Sequence, residues 1–98
     1  MAHRVAPEAE TELGEIWYYI AKASGSLETA DRLVDSITDR FWLLANYPHL
    51  GRSRDQDLRP GLRSFSVGEY IIFYRIQHDD VFILHVIPGS QDIDALLQ

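Results

Sequence analysis

The sequence lacks cysteine, which excludes disulfide bonds, thiolate metal sites and cysteine nucleophiles. It has no apolar run close to the roughly 20 residues that span a bilayer, and its first residues do not resemble a secretory signal. Positive charge is scarce, because nine lysines and arginines stand against 15 aspartates and glutamates, for a net charge of −6. We therefore expect a cytoplasmic protein that does not cover nucleic acid over a broad face.

The composition suffices for one hydrophobic core. The 98 residues are 46% hydrophobic and 11% aromatic, which is too apolar for a disordered chain. This length suits a single domain, so residues 1–98 are predicted to form one domain. Because no phosphate-binding glycine loop, HExxH or GxSxG motif occurs, the sequence does not support nucleotide hydrolysis, zinc proteolysis or a nucleophile-elbow hydrolase. The histidines show no ligand spacing, and we expect no cofactor and no metal site.

The first half of the sequence has helical periodicity. An edge strand is predicted over 3–6, then an amphipathic helix from Glu8 to about Lys22, and then a second helix that Ser26 can cap. Pro48 and Gly51 end this helical hairpin. The apolar stripes are Ala9, Leu13, Ile16 and Ile20 on the first helix, and Ala30, Leu33, Val34, Ile37, Phe41, Leu44 and Ala45 on the second.

The second half changes to the composition of β-strands. Residues 62–67, 70–77 and 81–87 are rich in β-branched and aromatic side chains, and Gly68-Glu69 and Asp79-Asp80 separate them as two-residue loops. A short helix is expected over 91–97. The predicted fold is thus α+β, with an N-terminal edge strand and a helical hairpin packed on a three-stranded antiparallel meander.

Counting outward from those loops predicts the register of the sheet. Arg63 would lie beside Tyr74, and Tyr74 beside His85, in one polar row that faces solvent. The opposite face would pack on the hairpin; its apolar residues are Leu62, Ile71, Phe73, Phe82, Leu84 and Val86.

The predicted row could carry out phosphodiester chemistry. Arg63, Tyr74 and His85 supply a cation, a phenol and an imidazole, which together could cleave RNA without a metal. The alternative is that amphipathic side chains simply occupy a half-exposed sheet face.

Positive charge concentrates after the second helix. Arg52, Arg54 and Arg59 are candidates for contact with nucleic acid or another anionic partner. The alternative is that they pair with Asp55 and Asp57 and keep a loop soluble.

Two apolar residues lie out of phase with their helical stripes. Tyr18 and Leu43 point away from the apolar faces of their helices, so both are predicted to be exposed. With Trp17 and Trp42 on the flanks, they form a candidate surface for a protein partner.

The order and spacing of several short motifs carry a family resemblance. The chain resembles the ParE/RelE superfamily of toxins from bacterial type II toxin-antitoxin modules, over nearly its whole length. The resemblance implies a small α/β toxin held inactive by a cognate antitoxin that wraps around it, here at Trp17, Tyr18, Trp42 and Leu43. The motifs are Ala9…Leu13…Glu15-Ile16…Tyr19-Ile20-Ala21, Pro48-His49-Leu50-Gly51-Arg52, Pro60-Gly61-Leu62-Arg63, Tyr70-Ile71-Ile72-Phe73-Tyr74-Arg75, and Ile83-Leu84-His85-Val86 with Gly89 and Asp92.

The superfamily divides by activity. RelE-like members cleave messenger RNA on the ribosome, whereas ParE-like members poison DNA gyrase. Where RelE-like enzymes place basic or proton-transferring residues after the last strand, this chain has Pro88 and Gln91, and its acidic total and long hairpin also favour the ParE branch. The resemblance therefore implies gyrase inhibition, with a RelE-like ribonuclease using Arg63, Tyr74 and His85, or an inactive interaction module, as alternatives.

Overall fold

The computed structural model describes residues 2–91 and 93. Its strands form one five-stranded sheet in the order β1-β5-β4-β3-β2, in which β1 runs parallel to β5 and the other neighbours are antiparallel. This confirms the α+β fold with an edge strand, a hairpin and a meander, and it adds β2, which was not predicted. The elements are β1 His3–Val5, α1 Pro7–Ser24, α2 Leu27–Asn46, β2 Arg52–Ser53, β3 Arg63–Val67, β4 Tyr70–Gln77 and β5 Asp80–Pro88.

Local sequence explains where the helices begin. Pro7 stands in the first turn of α1, where its missing N–H costs no hydrogen bond, and Glu8 and Glu10 lie near the positive end of the helix dipole. The Ser26 side chain caps α2, because its Oγ accepts a hydrogen bond from the Thr29 N–H at 3.1 Å, as predicted. No helix within the described residues is long and apolar enough to cross a membrane. The helix expected over 91–97 lies almost wholly outside the described residues.

The first loop of the meander confirms the predicted register. Gly68 has a φ of 58° and opens the turn between β3 and β4, a conformation that glycine adopts without a steric penalty. Val67 then pairs with Tyr70 and Arg63 with Tyr74.

The predicted register of the second loop is wrong. Gln77 pairs with Asp80, so the loop is His78-Asp79, and His78 takes the left-handed conformation with a φ of 56°. Farther along, β5 carries a bulge at Leu84, between the partners of Tyr74 and Phe73. Tyr74 therefore pairs with Ile83, and the predicted pairing of Tyr74 with His85 does not form.

The assignment of the two sheet faces is also wrong. Tyr74 has 0% exposure and lies in the core beneath the helices, while the face expected there packs against Leu58 and Ile93 on the far side of the sheet. Val86 alone of the predicted set joins the buried helix-facing core. That core comprises Ala9, Ile16, Ile37, Phe41, Leu44, Val67, Ile72, Tyr74, Val81, Ile83 and Val86; the second cluster comprises Leu62, Phe73 and Ile87, packed with Leu58, Ile71, Leu84 and Ile93.

Candidate functional site

The loop after α2 is fastened to the sheet by two of the residues predicted to be catalytic. Tyr74 Oη donates a hydrogen bond to the Pro48 carbonyl at 2.7 Å and accepts one from the Gly51 N–H at 2.9 Å. Arg63 Nη2 donates to the carbonyls of Gly51 at 2.6 Å and His49 at 3.1 Å. We call Pro48–Gly51 the anchored loop, because these four hydrogen bonds fix its position.

The close approach at Gly51 depends on the absence of a side chain. A Cβ atom at this position would collide with the Tyr74 ring and hydroxyl and with the Ser64 carbonyl oxygen. Sequence reasoning assigned Gly51 only to the end of a helix. The pairing of Arg63 with Tyr74 was predicted, but its relation to the loop that contains Gly51 was not.

His85 is paired with the first helix instead of with Tyr74. Its Nδ1 lies 3.1 and 3.2 Å from the two carboxylate oxygens of Glu12, and Glu12 Oε1 also accepts a hydrogen bond from the Val86 N–H at 3.0 Å. Both side chains are largely shielded, with 19% exposure for His85 and 17% for Glu12. Glu12 thus ties α1 to β5, a role that sequence reasoning did not assign to it.

The three predicted catalytic residues therefore do not form the expected solvent-facing row. Arg63 and Tyr74 meet at the anchored loop, Tyr74 has no exposed surface, and His85 is held by Glu12. Within the described part of the chain, no group of three or more histidine, aspartate and glutamate side chains could hold a metal ion.

Arg54 stabilises the loop between β2 and β3. Its guanidinium donates hydrogen bonds to the Asp57 carboxylate at 2.6 to 3.1 Å and to Ser64 Oγ at 3.1 Å. The hydrogen bond from Arg54 holds the pKa of Asp57 below its usual range. For Arg54 the alternative of pairing with an aspartate, Asp57, is thus confirmed. The side chains of Arg52 and Arg59 are exposed.

The predicted partner surface divides into two ends of the hairpin. Tyr18 is 62% exposed, and the Lys22 ammonium lies 5.7 Å from the centre of its ring. Trp17 Nε1 donates a hydrogen bond to the Asp31 carboxylate at 2.8 Å. Trp42 lies eleven residues beyond Asp31 on α2, about 16 Å along the helix axis.

The second end is more apolar than the first. Trp42 is 64% exposed, and its ring is nearly perpendicular to the His3 ring, at 4.6 Å between ring centres. Leu43 is partly buried, so the prediction that it is exposed is wrong. The chain turns back after α2, and Leu43 and the residues of this turn line one cavity of about 640 Å³. The lining residues are Leu43, Asn46, Tyr47, Pro48, His49 and Leu50.

Comparison with known protein families shows to which family the chain belongs. The family model described as "ParE toxin of type II toxin-antitoxin system, parDE" matches residues 4–93. The chain belongs to this ParE family.

Individual relatives agree with this ParE assignment. Toxin ParE3 of Caulobacter vibrioides is 35% identical over 86 residues, which cover 88% of this chain and 84% of the relative. Toxin RelE3 of the same organism is 30% identical over 82 residues, or 84% of this chain and 87% of the relative. The predicted membership of the ParE/RelE superfamily, in its ParE branch, is thus confirmed.

A solved structure has the same fold as this ParE-family chain. A chain from the chromosomal ParDE toxin-antitoxin system of P. aeruginosa superposes with a TM-score of 0.78 and covers 90% of this chain and 95% of its own length. The two sequences are only 20% identical, so the likeness concerns the fold alone.

Proposed function

We propose that this ParE-family toxin inhibits DNA gyrase and that a cognate antitoxin neutralises it. The observation that carries the proposal is the match of the ParE toxin family over residues 4–93. The burial of Tyr74 and the pairing of His85 with Glu12 support it further, because the two side chains do not meet in the row that the nuclease hypothesis requires. An inhibitor of gyrase acts in the bacterial cytoplasm, so we expect the chain there.

The two ends of the hairpin are the proposed antitoxin contacts. Tyr18 and Trp42 expose large aromatic surfaces, and Trp17 and Leu43 lie beside them. Aromatic residues that are exposed in a free chain are common anchors of protein interfaces. The exposed Arg52 and Arg59 are proposed to contact an anionic partner, such as DNA held by gyrase.

A supercoiling assay with purified gyrase tests the proposed target. We expect the chain to block ATP-dependent supercoiling of a relaxed plasmid and to leave gyrase-dependent breaks in the DNA, and we expect the antitoxin to restore activity. A chain that does not change gyrase turnover at a large molar excess would contradict the proposed target.

The similarity to Toxin RelE3 supports one second candidate, a ribosome-dependent ribonuclease. In a translation mixture with intact ribosomes, such an enzyme would cut messenger RNA, and His85→Gln would slow the cut by about 100-fold or more if His85 transfers a proton. We expect no cleavage by the unmodified chain.

A further inference from the structure

An acidic groove crosses the molecule between α1, the turn joining β3 to β4 and the end of β5. It has a volume of about 800 Å³. Three carboxylates line it, those of Glu12, Glu15 and Glu69, and none of the described residues in its walls is lysine, arginine or histidine. The described lining of the groove therefore carries negative charge and no positive charge of its own.

Two of the three carboxylates are open to an incoming group. Glu12 is engaged by His85 and the Val86 N–H. Glu15 on α1 and Glu69 on the turn are exposed, and within the described part of the chain the carboxylate of neither residue makes a hydrogen bond or an ion pair. Two unneutralised charges thus stand on different walls of the groove.

Tyrosine rings add a second kind of contact. Tyr19 is 62% exposed, and Tyr70 is half-buried. Burial raises the pKa of Tyr70, and the nearby charge of Glu69 raises it further, so this phenol stays neutral. A planar guanidinium can pair with a carboxylate through two hydrogen bonds and stack on a tyrosine face at the same time, whereas an ammonium cannot match both geometries.

The walls of the groove are held in place before any partner arrives. The Gly89 N–H donates to the Glu69 carbonyl at 2.9 Å, which joins the end of β5 to the turn. Glu12 fastens α1 to β5 on the other side. A partner therefore meets a preformed site and loses little affinity to ordering of the toxin.

We propose that the acidic groove binds an arginine-bearing segment of the cognate antitoxin. This inference rests on the proposed neutralisation by an antitoxin and adds the chemistry of the antitoxin segment that contacts the groove.

Charge argues against other occupants. The seven residues after Gln91 contain two aspartates and no lysine or arginine, so their charge does not complement that of Glu15 and Glu69. A second copy of the chain brings a net charge of −6, and nucleic acid brings phosphates. A cationic peptide segment is the occupant that complements the groove.

Binding of the purified antitoxin to charge-neutralised toxin tests this directly. We expect the double variant Glu15→Gln with Glu69→Gln to bind about 10- to 100-fold more weakly at low salt, and the loss to shrink as the salt rises from about 0.05 to about 0.5 M. The control is Glu10→Gln, an exposed glutamate of α1 outside the groove, which should stay within about twofold of the unmodified chain. Equal affinity of the double variant and the control would overturn the proposal.

A synthetic probe tests the groove without the antitoxin. An eight-residue peptide of alternating arginine and alanine should give saturable shifts in the amide signals of Glu69, Tyr70 and Ile71, absent in the double variant and absent with a glutamate-alanine peptide. No saturable shift at these amides would also overturn the proposal. The supercoiling assay is independent, since a chain that leaves gyrase untouched but binds arginine here would refute only the proposed target.

Discussion

The contact between Gly51 and Tyr74 limits which residue can stand at position 51 of the anchored loop. A methyl group at position 51 meets a buried ring on one side and a backbone carbonyl on the other, and neither can move away easily. At Gly14, in the middle of α1, an added Cβ meets nothing within 4 Å. The two glycines therefore form a matched pair with opposite expectations.

We predict that Gly51→Ala lowers the free energy of unfolding by about 1–3 kcal/mol, because the loop must shift away from Tyr74. Gly14→Ala should raise it by about 0.5–1 kcal/mol, since alanine is the better helix former. Urea unfolding of both variants measures the two changes. Equal effects of the same sign would show that the close approach at Gly51 is absent in solution.

The Arg54–Asp57 pair predicts a pH dependence. Because the pKa of Asp57 is lowered in the folded chain, its stabilising contribution is present above the ordinary aspartate pKa and is lost as the pH falls through the lower, folded value. The stability difference between the unmodified chain and Asp57→Asn should therefore narrow as the pH falls from about 6 to about 2. A difference that stays constant over this range would contradict the pairing.

At the scale of helices and strands, the features that could be predicted from sequence are those that depend on local patterns. The apolar stripes of α1 and α2, the Ser26 cap and the turn at Gly68 depend on residues close together in the chain, and the structure confirms them. The position of the second loop and the bulge at Leu84 depend on how β5 packs against its neighbours. Counting residues outward from a predicted loop cannot reveal this packing. Because the loop begins one residue earlier than predicted, the partner of Tyr74 on β5 is Ile83, two residues before His85.

At this scale, the exposed aromatic residues of the helical hairpin lead to a testable prediction. Tyr18→Asp combined with Trp42→Asp should weaken antitoxin binding by about tenfold or more while leaving the thermal unfolding midpoint nearly unchanged, because both side chains already face solvent. Titration calorimetry measures the affinity. Leu27→Asp is the control, since Leu27 is equally exposed at 64% but lies at the start of α2. If the control weakens binding as much as the double variant, the aromatic residues are not the specific contacts.

At the scale of the whole molecule, the sheet has two apolar faces, and sequence patterning alone did not determine which one the helices cover. Tyr74 is polar only at its hydroxyl, and that hydroxyl is satisfied by Pro48, a residue 26 positions away in sequence. Its burial could therefore be recognised only once the path of the anchored loop was known. Family membership, in contrast, followed from the order of short motifs along the chain.

The net charge of the whole molecule limits how it can meet its target. A toxin with 15 acidic and nine basic side chains does not attract nucleic acid over its whole surface, so its target must be met through a local contact or through another protein. Gyrase satisfies this condition, because the toxin would bind the enzyme and need not bind along DNA.

The most direct test of the central claim measures DNA, RNA and protein synthesis in bacteria during the first minutes after the chain is induced without antitoxin. Gyrase inhibition predicts that DNA synthesis stops first and that a DNA-damage response follows. Protein synthesis that stops first, while DNA synthesis continues, would contradict the account and favour the ribonuclease.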